Sequence, residues 1–386
     1  MDLIFSEEQQ MLRDMTRRLC EDFAPLTVLR QLEGTEPGYS DDFWKALIDA
    51  GMSGLTIADK DGGLGLGATE MMIVHEEFGR ALAFSPHFVS SVLAAHLIST
   101  TGNTAQRQRW LPSIASGQSI VSIGSLEPQG GHELSDIQCS AKRTATGYRL
   151  SGTKHFVAYA ARAHAAVILA RVGTATDDVI ALLVDLKGPG VSIQYQPNHA
   201  REAVYQVTLR DVDVSIEDAL KDGQPMATEW RDAMYSGLIA LAAQAVGGAE
   251  RAHAMAVEYA KVREAFGKPI GSFQAIAHSL ADVAVDIEGC RMLVRQAAWA
   301  KERGYDFHRV AAIAKLQACE MYRRTAGVTI QVHGGIGFTI DADPQLFFRR
   351  AKHLQLLHWD SDYLEERIIE MVLQETSELS AHGANG

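Results

Sequence analysis

The spacing of apolar residues changes twice along this 386-residue chain, and these changes constrain its fold more than any other feature. Apolar residues recur with a helical period up to about residue 118, fall into short β-branched runs from Ser119, and return to a helical period after about Gly223. We therefore predict an α+β fold with an all-α N-terminal domain (1–118), a middle β-barrel domain (119–222) and a C-terminal four-helix bundle (223–386).

Individual elements follow from the same patterns. Ser6-Glu-Glu-Gln9 is typical of a capping box, so we expect a helix to begin there. Further helices are predicted at 41–51, 69–83, 88–100 and 105–116, strands at 120–125, 148–151, 166–171, 179–184, 191–195 and 203–209, and long helices at 230–259, 273–303, 307–332 and 343–373. The Ala-rich stretch Ile239 to Ala256, with Gly247 and Gly248, indicates close helix packing.

Composition excludes several classes of protein. With 36 Lys and Arg against 48 Asp and Glu, the formal charge of -12 argues against a broad nucleic-acid surface, although a local basic pocket for phosphates is compatible with it. The 4 cysteines lie far apart, so we expect unpaired thiols and no zinc site. The N-terminus lacks the features of a signal or transit peptide, and no apolar run approaches the roughly 20 residues that span a bilayer, so we expect a cytoplasmic protein without membrane insertion.

Three common functional patterns are absent from the sequence. The run Asp61-Gly-Gly-Leu-Gly-Leu-Gly67 has neither G-x-G-x-x-G spacing nor the Lys of a P-loop, so a loop with positive φ angles explains it better. The 14 histidines are scattered without H-E-x-x-H spacing, and no metal site is expected. There is no G-x-S-x-G either, so the sequence gives no support to serine nucleophile chemistry.

Three segments of the C-terminal part carry chemistry: Arg263-Glu-Ala-Phe-Gly267, Phe273-Gln274 and Gln331-Val-His-Gly-Gly-Ile-Gly-Phe338. The planar fork of an arginine donates two parallel hydrogen bonds to a diphosphate. Glycines let backbone amides approach an anion or a ring. Taken singly, these features are equally compatible with a surface arginine and a helix C-cap.

In this order and on long helices, the three segments resemble the flavin-holding C-terminal domain of the acyl-CoA dehydrogenases. The resemblance implies that FAD is the cofactor. It also implies a set of residues that contact the adenine and diphosphate, namely Arg263, Phe266, Gln274, Gln331, Gly334 and Gly335. In this family these residues hold the flavin of the neighbouring subunit, so at least a dimer is expected.

The middle domain supplies a second match, in Leu126-Glu-Pro128 with Gly131 and in Ser151-Gly-x-Lys154. In the family the first loop begins Thr-Glu-Pro and a later strand carries an aromatic residue, Ile and Thr. Here Leu126 replaces the Thr, His132 falls near a family Ser, and Phe156-Val-Ala158 replaces the strand motif. The resemblance places Leu126, Gly131, His132 and Ala158 beside the flavin. The hydroxyl that family members place near flavin N5 is missing here, so the resemblance implies that backbone or water makes that hydrogen bond.

Dehydrogenation of a thioester needs a carboxylate to remove the α proton. Most family members use the Glu of Tyr-Glu-Gly-Thr, and the aligned string here is Trp359-Asp-Ser-Asp362, so the resemblance implies Asp360 as the catalytic base. A helix cap is the alternative role for Asp360. Asp362 and Asp232 are weaker candidates. Other members place the Glu on the helix that opens the C-terminal domain, but Tyr235-Ser-Gly237 holds no carboxylate.

The implied reaction converts an acyl-CoA thioester to its 2,3-enoyl-CoA, with Asp360 taking the α proton and FAD the β hydride. Electrons then pass to an electron-transferring flavoprotein. The middle-domain loop resembles the small-subunit-like branch of the family, which includes pimeloyl-CoA dehydrogenase small chains. Two alternatives stay open: a non-catalytic subunit that donates flavin contacts within a mixed tetramer, and an oxidase resembling nitroalkane oxidase, which also uses Asp.

Overall fold

Six α-helices of the N-terminal part precede the first strand of the computed structural model, which describes residues 4–383. They are α1 (Glu7–Phe23), α2 (Leu26–Leu32), α3 (Asp41–Asp49), α4 (Ala68–Ala81), α5 (Ala95–Thr101) and α6 (Thr104–Ala115). The predicted capping box is confirmed: the Gln9 amide donates to Ser6 Oγ at 3.2 Å, and the Ser6 amide donates to Gln9 Oε1 at 3.0 Å. These bonds satisfy backbone donors at the start of α1.

The predicted helix at 88–100 is present but is not α-helical throughout. Phe88–Ala94 is a π-helix of seven residues, all of them buried, and it continues directly into α5. Periodicity cannot separate the two helix types, because a π-helix adds only one residue to each hydrogen-bonded turn. The glycine run before α4 is a loop, as predicted, with Gly62 and Gly65 at φ angles of 87° and 62°.

The middle of the chain forms a seven-stranded sheet, which confirms the predicted β domain. Its strands are β1 (Val121–Gly124), β2 (Ser140–Arg143), β3 (Gly147–Ala158), β4 (Ala165–Arg171), β5 (Val179–Asp185), β6 (Val191–Tyr195) and β7 (Val204–Ser215). The order is β1-β4-β2-β3-β7-β6, and β5 pairs with β4. β1 and β2 run parallel to β4, whereas the other pairs are antiparallel. β4 and β5 are buried almost along their whole length and form the core of the sheet.

The C-terminal part is helical, as predicted, apart from one small hairpin. Its helices are α7 (Ala227–Val262), α8 (Gln274–Glu302), α9 (His308–His333), α10 (Pro344–Leu356) and α11 (Ser361–Gly383), and β8 (Glu264–Ala265) pairs with β9 (Lys268–Pro269). The prediction of one long fourth helix at 343–373 is wrong, because the chain breaks between α10 and α11. His358 and Trp359 have φ angles of 48° and 67°, which no α-helix accommodates.

The Ala-rich helix α7 packs closely against α4, as its composition predicts. A Cβ added to Gly247 would lie 1.8 Å from the backbone oxygen of Glu76, and one added to Gly79 would lie 2.0 Å from that of Gln244. Glycine is therefore required at both positions, because the two backbones are in direct contact.

The chain divides by its internal contacts into two compact units. One consists of Met1–Arg13, Met72–Leu82 and Leu238–Gly386, and the other of Asp14–Met71 and Ala83–Gly237. Within residues 4–383, none of the helices is both long and apolar enough to cross a membrane. All four cysteines are buried, unpaired thiols.

Candidate functional site

Arg263 lies immediately after α7, where a tight hairpin turns the chain toward α8. Its amide donates to the Tyr259 carbonyl at 2.8 Å, and its own carbonyl accepts from the Ile270 amide at 2.8 Å, so the hairpin is closed at its base. Phe266 and Gly267 form the tip, with φ angles of 54° and 76°. Glycine tolerates that angle at no cost, and Phe266 holds it while projecting its ring outward, 95% exposed.

A small apolar cluster joins this hairpin to the other predicted diphosphate-binding segments. Its buried members are Ala256, Ala260, Leu280 and Val332, and partly buried side chains from the same helices surround them. These residues belong to the end of α7, the first turns of α8 and the end of α9. The structure therefore brings the regions of Arg263, Gln274 and Gln331 together within one unit, and all three side chains are exposed.

The end of α9 forms the glycine loop. The His333 ring stacks on Tyr259 at 4.3 Å between centroids, and its Nδ1 lies 2.8 Å from the carbonyl of Thr329, which fixes the last turn of the helix. Gly334 follows at a φ angle of 63°. Among the described residues other than the chain neighbours, no atom lies within 4 Å of a Cβ built on Gly334 or Gly335, so both positions border open space. The Gly334 amide itself donates to the carbonyls of Ile330 and Gln331.

Leu126 and Ala158, predicted to flank the flavin ring, lie on adjacent segments of the sheet. The carbonyl of Leu126 accepts from the His155 amide at 2.9 Å, and the carbonyl of Ala158 accepts from Ser122 Oγ at 2.6 Å. The segment leaving β1 thus runs beside β3, and the structure brings these two predicted residues together. Neither side chain carries a hydroxyl.

Phe156 lies between these contacts at an irregularity in β3. The register with β7 shifts between Lys154 and Val157, and Phe156 has a φ angle of 52°. Its amide donates to Gln196 Oε1 at 2.7 Å, which holds the bulge in place. Because of this bulge the ring is 48% exposed rather than packed in the sheet, so it can cover a flat ligand.

The loop that carries Gly131 and His132 folds back on itself. Gly131 has a φ angle of 92°, and a Cβ there would lie 2.2 Å from Oδ2 of Asp136. Oδ2 of Asp136 also accepts from the Glu133 amide at 3.0 Å. The position therefore requires glycine, and His132 is placed next to it, half-buried.

Asp360 lies in the break between α10 and α11. Its Oδ1 accepts from the Tyr363 amide at 3.0 Å, so the capping role considered from the sequence is confirmed. The side chain is half-buried, and Trp359 before it is buried, with its ring 5.2 Å from that of Tyr363. The catalytic role of Asp360 stays a prediction.

The weaker candidates for the base lie in different settings. Asp362 is exposed in the first turn of α11. Oδ2 of Asp232 lies 3.0 Å from Nε2 of His96, which ties it to α5. At Gly237 of α7, a Cβ would lie 2.7 Å from Cδ2 of Leu93, so any side chain at this position would require Leu93 to shift.

Known proteins match the chain along nearly its whole length. Family profiles of the acyl-CoA dehydrogenase N-terminal, middle and C-terminal domains match residues 6–118, 122–212 and 230–373. A probable acyl-CoA dehydrogenase of Bacillus subtilis is 30% identical over 366 residues, which cover 92% of this chain and 95% of that protein.

Solved structures also match the chain along nearly its whole length. Butyryl-CoA dehydrogenase of Megasphaera elsdenii superposes with a TM-score of 0.90 at 27% identity, covering 97% of this chain and 100% of that one. A chain of the ChsE4-ChsE5 complex of Mycobacterium tuberculosis gives 0.88 at 28% identity, covering 97% and 99%.

Fold and comparisons together define a flavin-dependent oxidoreductase that acts on CH–CH groups. The chain belongs to the acyl-CoA dehydrogenase family.

The residues present fit FAD. Open space beside Gly334 and Gly335, next to the exposed donors of Arg263, Gln274 and Gln331, suits an anionic diphosphate. On the sheet, the exposed ring of Phe156 suits contact with a flat heterocycle, and the missing hydroxyls of Leu126 and Ala158 leave polar contacts there to the backbone.

Sequence reasoning missed two buried lysines. Lys154 was noted as part of a motif, but its ion pair with Glu127 was not predicted. Lys315 was not singled out, although one signal was available: it interrupts the small apolar run Ala311-Ala-Ile-Ala314 on the face that also carries Cys319 and Tyr322. A lone charge on a buried helical face indicates a specific partner.

Proposed function

We propose that this protein is an FAD-dependent acyl-CoA dehydrogenase that converts an acyl-CoA thioester to the 2,3-enoyl-CoA. The observation that carries the proposal is the apolar cluster that assembles Arg263, Gln274 and the Gln331 loop into one exposed face with open space at Gly334 and Gly335. That face supplies the charge and the side-chain donors that a dinucleotide requires, and the open space at the glycines lets the ligand approach the backbone.

In this proposal Arg263, Gln274 and Gln331 hold the diphosphate and adenine of the neighbouring subunit's FAD, and Phe266, Gly334 and the amide of Gly335 complete the contacts. Leu126, Gly131, His132, Phe156 and Ala158 border the flavin ring. FAD, when bound, accepts the β hydride. The Asp360 carboxylate would take the α proton, and loss of this proton together with the β hydride would leave a C–C double bond between the α and β carbons.

Asp is one methylene shorter than the Glu of most relatives. Its half-buried position and its bond to the Tyr363 amide hold the carboxylate in a defined orientation. The shorter side chain reaches the α proton only if the turn also brings the Asp360 backbone closer to the thioester. The fixed turn before α11 is therefore part of the proposed catalytic apparatus.

The exposed apolar side chains near the hairpin support assembly of two or more subunits. Phe266, Val262 and Phe338 are 95%, 74% and 70% exposed, and such a group is typical of a surface that a partner covers. We propose a dimer or tetramer of this chain or with a related subunit, an electron-transferring flavoprotein as electron acceptor, a cytoplasmic location, and domain boundaries after residues 118 and 222.

Anaerobic flavin bleaching with a panel of CoA thioesters tests the proposal. Parent protein should bleach with at least one thioester, and Asp360→Asn should bleach about 10² to 10⁴ times more slowly, since this is the usual contribution of a general base. Asp362→Asn should bleach like the parent. If Asp360→Asn bleaches at the parent rate, or Asp362→Asn is the slow variant, the base assignment is wrong.

A second candidate function is a subunit that donates flavin contacts to a related chain. The absence of hydroxyls at Leu126 and Ala158 favours this second function. A structurally similar chain also comes from the ChsE4-ChsE5 complex, whose name contains two different components. The visible spectrum of the chain purified alone separates the two functions. Stoichiometric flavin supports an autonomous enzyme, whereas a colourless protein that becomes yellow only with a related subunit supports the second.

A further inference from the structure

Lys315 is a cation in the interior of the helical unit. Its side chain lies on α9, is 1% exposed, and donates from Nζ to the backbone carbonyls of Trp359 at 2.8 Å and Gln355 at 3.1 Å. Burying an ammonium group costs several kcal/mol unless its donors are satisfied, roughly as for other buried ions. These two carbonyls therefore provide the contacts that make the burial tolerable.

The two acceptors bracket the break between α10 and α11. Gln355 is in the last turn of α10, and Trp359 directly precedes Asp360. Between them the chain leaves the helix, and His358 and Trp359 both adopt left-handed φ angles. Each non-glycine residue in that region costs about 1 kcal/mol or more, so the conformation persists only where surrounding contacts enforce it. Lys315 contacts both ends of the break.

A second α9 residue contacts the same break. The Gln355 side chain donates from Nε2 to Oε1 of Glu320 and, at 3.1 Å, to Oγ of Ser361. Ser361 begins α11, so this network ties the residue after Asp360 to the same helix that holds the residue before it. The backbone on both sides of Asp360 is thus anchored to α9.

The charge of Lys315 also interacts with neighbouring titratable groups. Burial lowers the pKa of Lys315, and the electrostatic effects of Cys319 and Asp360 oppose that shift. Burial also raises the pKa of Cys319, so this group is a neutral thiol at physiological pH. Asp360 is then the group whose negative charge favours the charged form of Lys315.

We propose that Lys315 is a positioning residue for the catalytic base: its ammonium group, bonded to the carbonyls of Gln355 and Trp359, holds the turn that aims the Asp360 carboxylate at the substrate. This inference rests on the proposed function, because it takes Asp360 as the base. It adds a residue that does not touch substrate or cofactor and that acts through the backbone geometry of the turn.

The first test compares Lys315→Met with the parent in flavin-loaded, purified enzyme. Methionine keeps most of the length and apolar contacts of lysine but removes the donors and the charge. We expect flavin bleaching by the best thioester to slow by about 10²-fold, the effect of a displacement of about 1 Å at a reacting group. Arg324→Met, which removes an exposed cation from the same helix, should bleach like the parent.

A double-mutant cycle shows whether the effect passes through Asp360. Lys315→Met combined with Asp360→Asn should be no slower than Asp360→Asn alone, because a base that is absent cannot be misplaced. If the two losses multiply, Lys315 acts by another route and the proposal is overturned. The loss in Lys315→Met should also fall on the limiting bleaching rate at saturating thioester and leave the half-saturating thioester concentration unchanged, a split that a purely structural lysine would not produce.

Hydrogen exchange measured by mass spectrometry gives a readout independent of activity. Amides in the segment 357–366 should exchange faster in Lys315→Met, while those of α8 stay as in the parent. Lys315→Gln, which keeps a donor without the charge, should show intermediate exchange and provides a second variant if Lys315→Met does not fold. Parent-like exchange and bleaching in either folded variant would overturn the proposal.

Failure of the proposed function gives different results from failure of the positioning role. If no thioester bleaches the parent, or Asp360→Asn is as fast as the parent, the enzymatic assignment fails, whereas the exchange data still show whether Lys315 holds the turn. If Asp360→Asn is slow and Lys315→Met is fast and folded, only the positioning role fails.

Discussion

Nζ of Lys154 lies 2.6 Å from Oε1 of Glu127, and the two side chains are 0% and 3% exposed. Glu127 also accepts from the amides of Gln138 and Cys139 at 2.8 and 2.9 Å. A buried pair with additional hydrogen bonds is costly to break, because the remaining charge stays in an apolar environment. The pair fixes the loop between β1 and β2, which carries Leu126, Gly131 and His132, onto β3.

We expect Lys154→Met to lower the free energy of unfolding by about 3 to 5 kcal/mol, because Glu127 is left as an uncompensated buried charge. Adding Glu127→Gln should recover much of that loss, since no buried charge then remains and the amide oxygen can still accept from the backbone amide of Gln138 or Cys139. Denaturant unfolding followed by circular dichroism measures both. Arg149→Met, which breaks the exposed pair with Asp213, serves as the control and should leave the midpoint unchanged. Equal midpoints for Lys154→Met and Arg149→Met would contradict the prediction.

The contact between α4 and α7 gives a second prediction. Gly247→Ala places a Cβ within 1.8 Å of the Glu76 carbonyl oxygen, so the two helices must move apart. We expect a loss of about 1 to 3 kcal/mol or more, the usual cost of overpacking. The matched substitution is Gly289→Ala on α8, where among the described residues no atom lies within 4 Å of the added Cβ. It should be neutral or stabilising by up to about 1 kcal/mol. Thermal unfolding of the two variants compares them directly.

Most of the element order was predictable because apolar periodicity is a local property. The long helices α7, α8 and α9 and the strands β4 and β5 bury wide apolar faces, and their patterns stand out. Strand β2 was missed because Ser140–Arg143 is short and polar and has no β-branched run. It is a strand only because β3 and β4 lie beside it.

The break before α11 could not be predicted for a different reason. His358 and Trp359 adopt left-handed angles without a glycine or asparagine to signal them, and the apolar period continues from α10 into α11. The contact that holds the break comes from Lys315, more than forty residues earlier in the chain. The family resemblance identified Asp360 from the local sequence. The turn that positions Asp360 depends on a contact with a residue distant in sequence.

The third prediction concerns cofactor retention. Arg263→Lys keeps the charge but loses the planar fork, so FAD should bind about 10- to 100-fold more weakly, as expected for the loss of a charge-assisted hydrogen bond. The ratio of flavin to protein absorbance after gel filtration measures retention. Arg303→Lys, on the exposed end of α8, is the control and should retain flavin like the parent. If both variants retain equal flavin, Arg263 does not contact the diphosphate.

The fourth prediction is a pH dependence that arises from His87. This ring is buried, its Nε2 donates to the Met52 carbonyl at 2.9 Å, and burial lowers its pKa to about 4 from an ordinary value of 6.5. Between these values the unfolded chain binds a proton that the folded chain does not. Stability from this group is therefore complete above pH 6.5 and is lost as the pH falls toward 4. The loss is about 1.4 kcal/mol per pH unit and about 3 kcal/mol in all.

His87→Gln keeps a donor for the Met52 carbonyl but cannot titrate, so it isolates this contribution. Its melting temperature should fall less than that of the parent between pH 7 and pH 5, even if the variant is less stable at pH 7. Differential scanning calorimetry at several pH values gives both slopes. Parallel slopes would mean that groups other than His87 cause the acid sensitivity and that His87 binds the same number of protons in the folded and unfolded states. The burial of His87 against the Met52 carbonyl argues against that outcome.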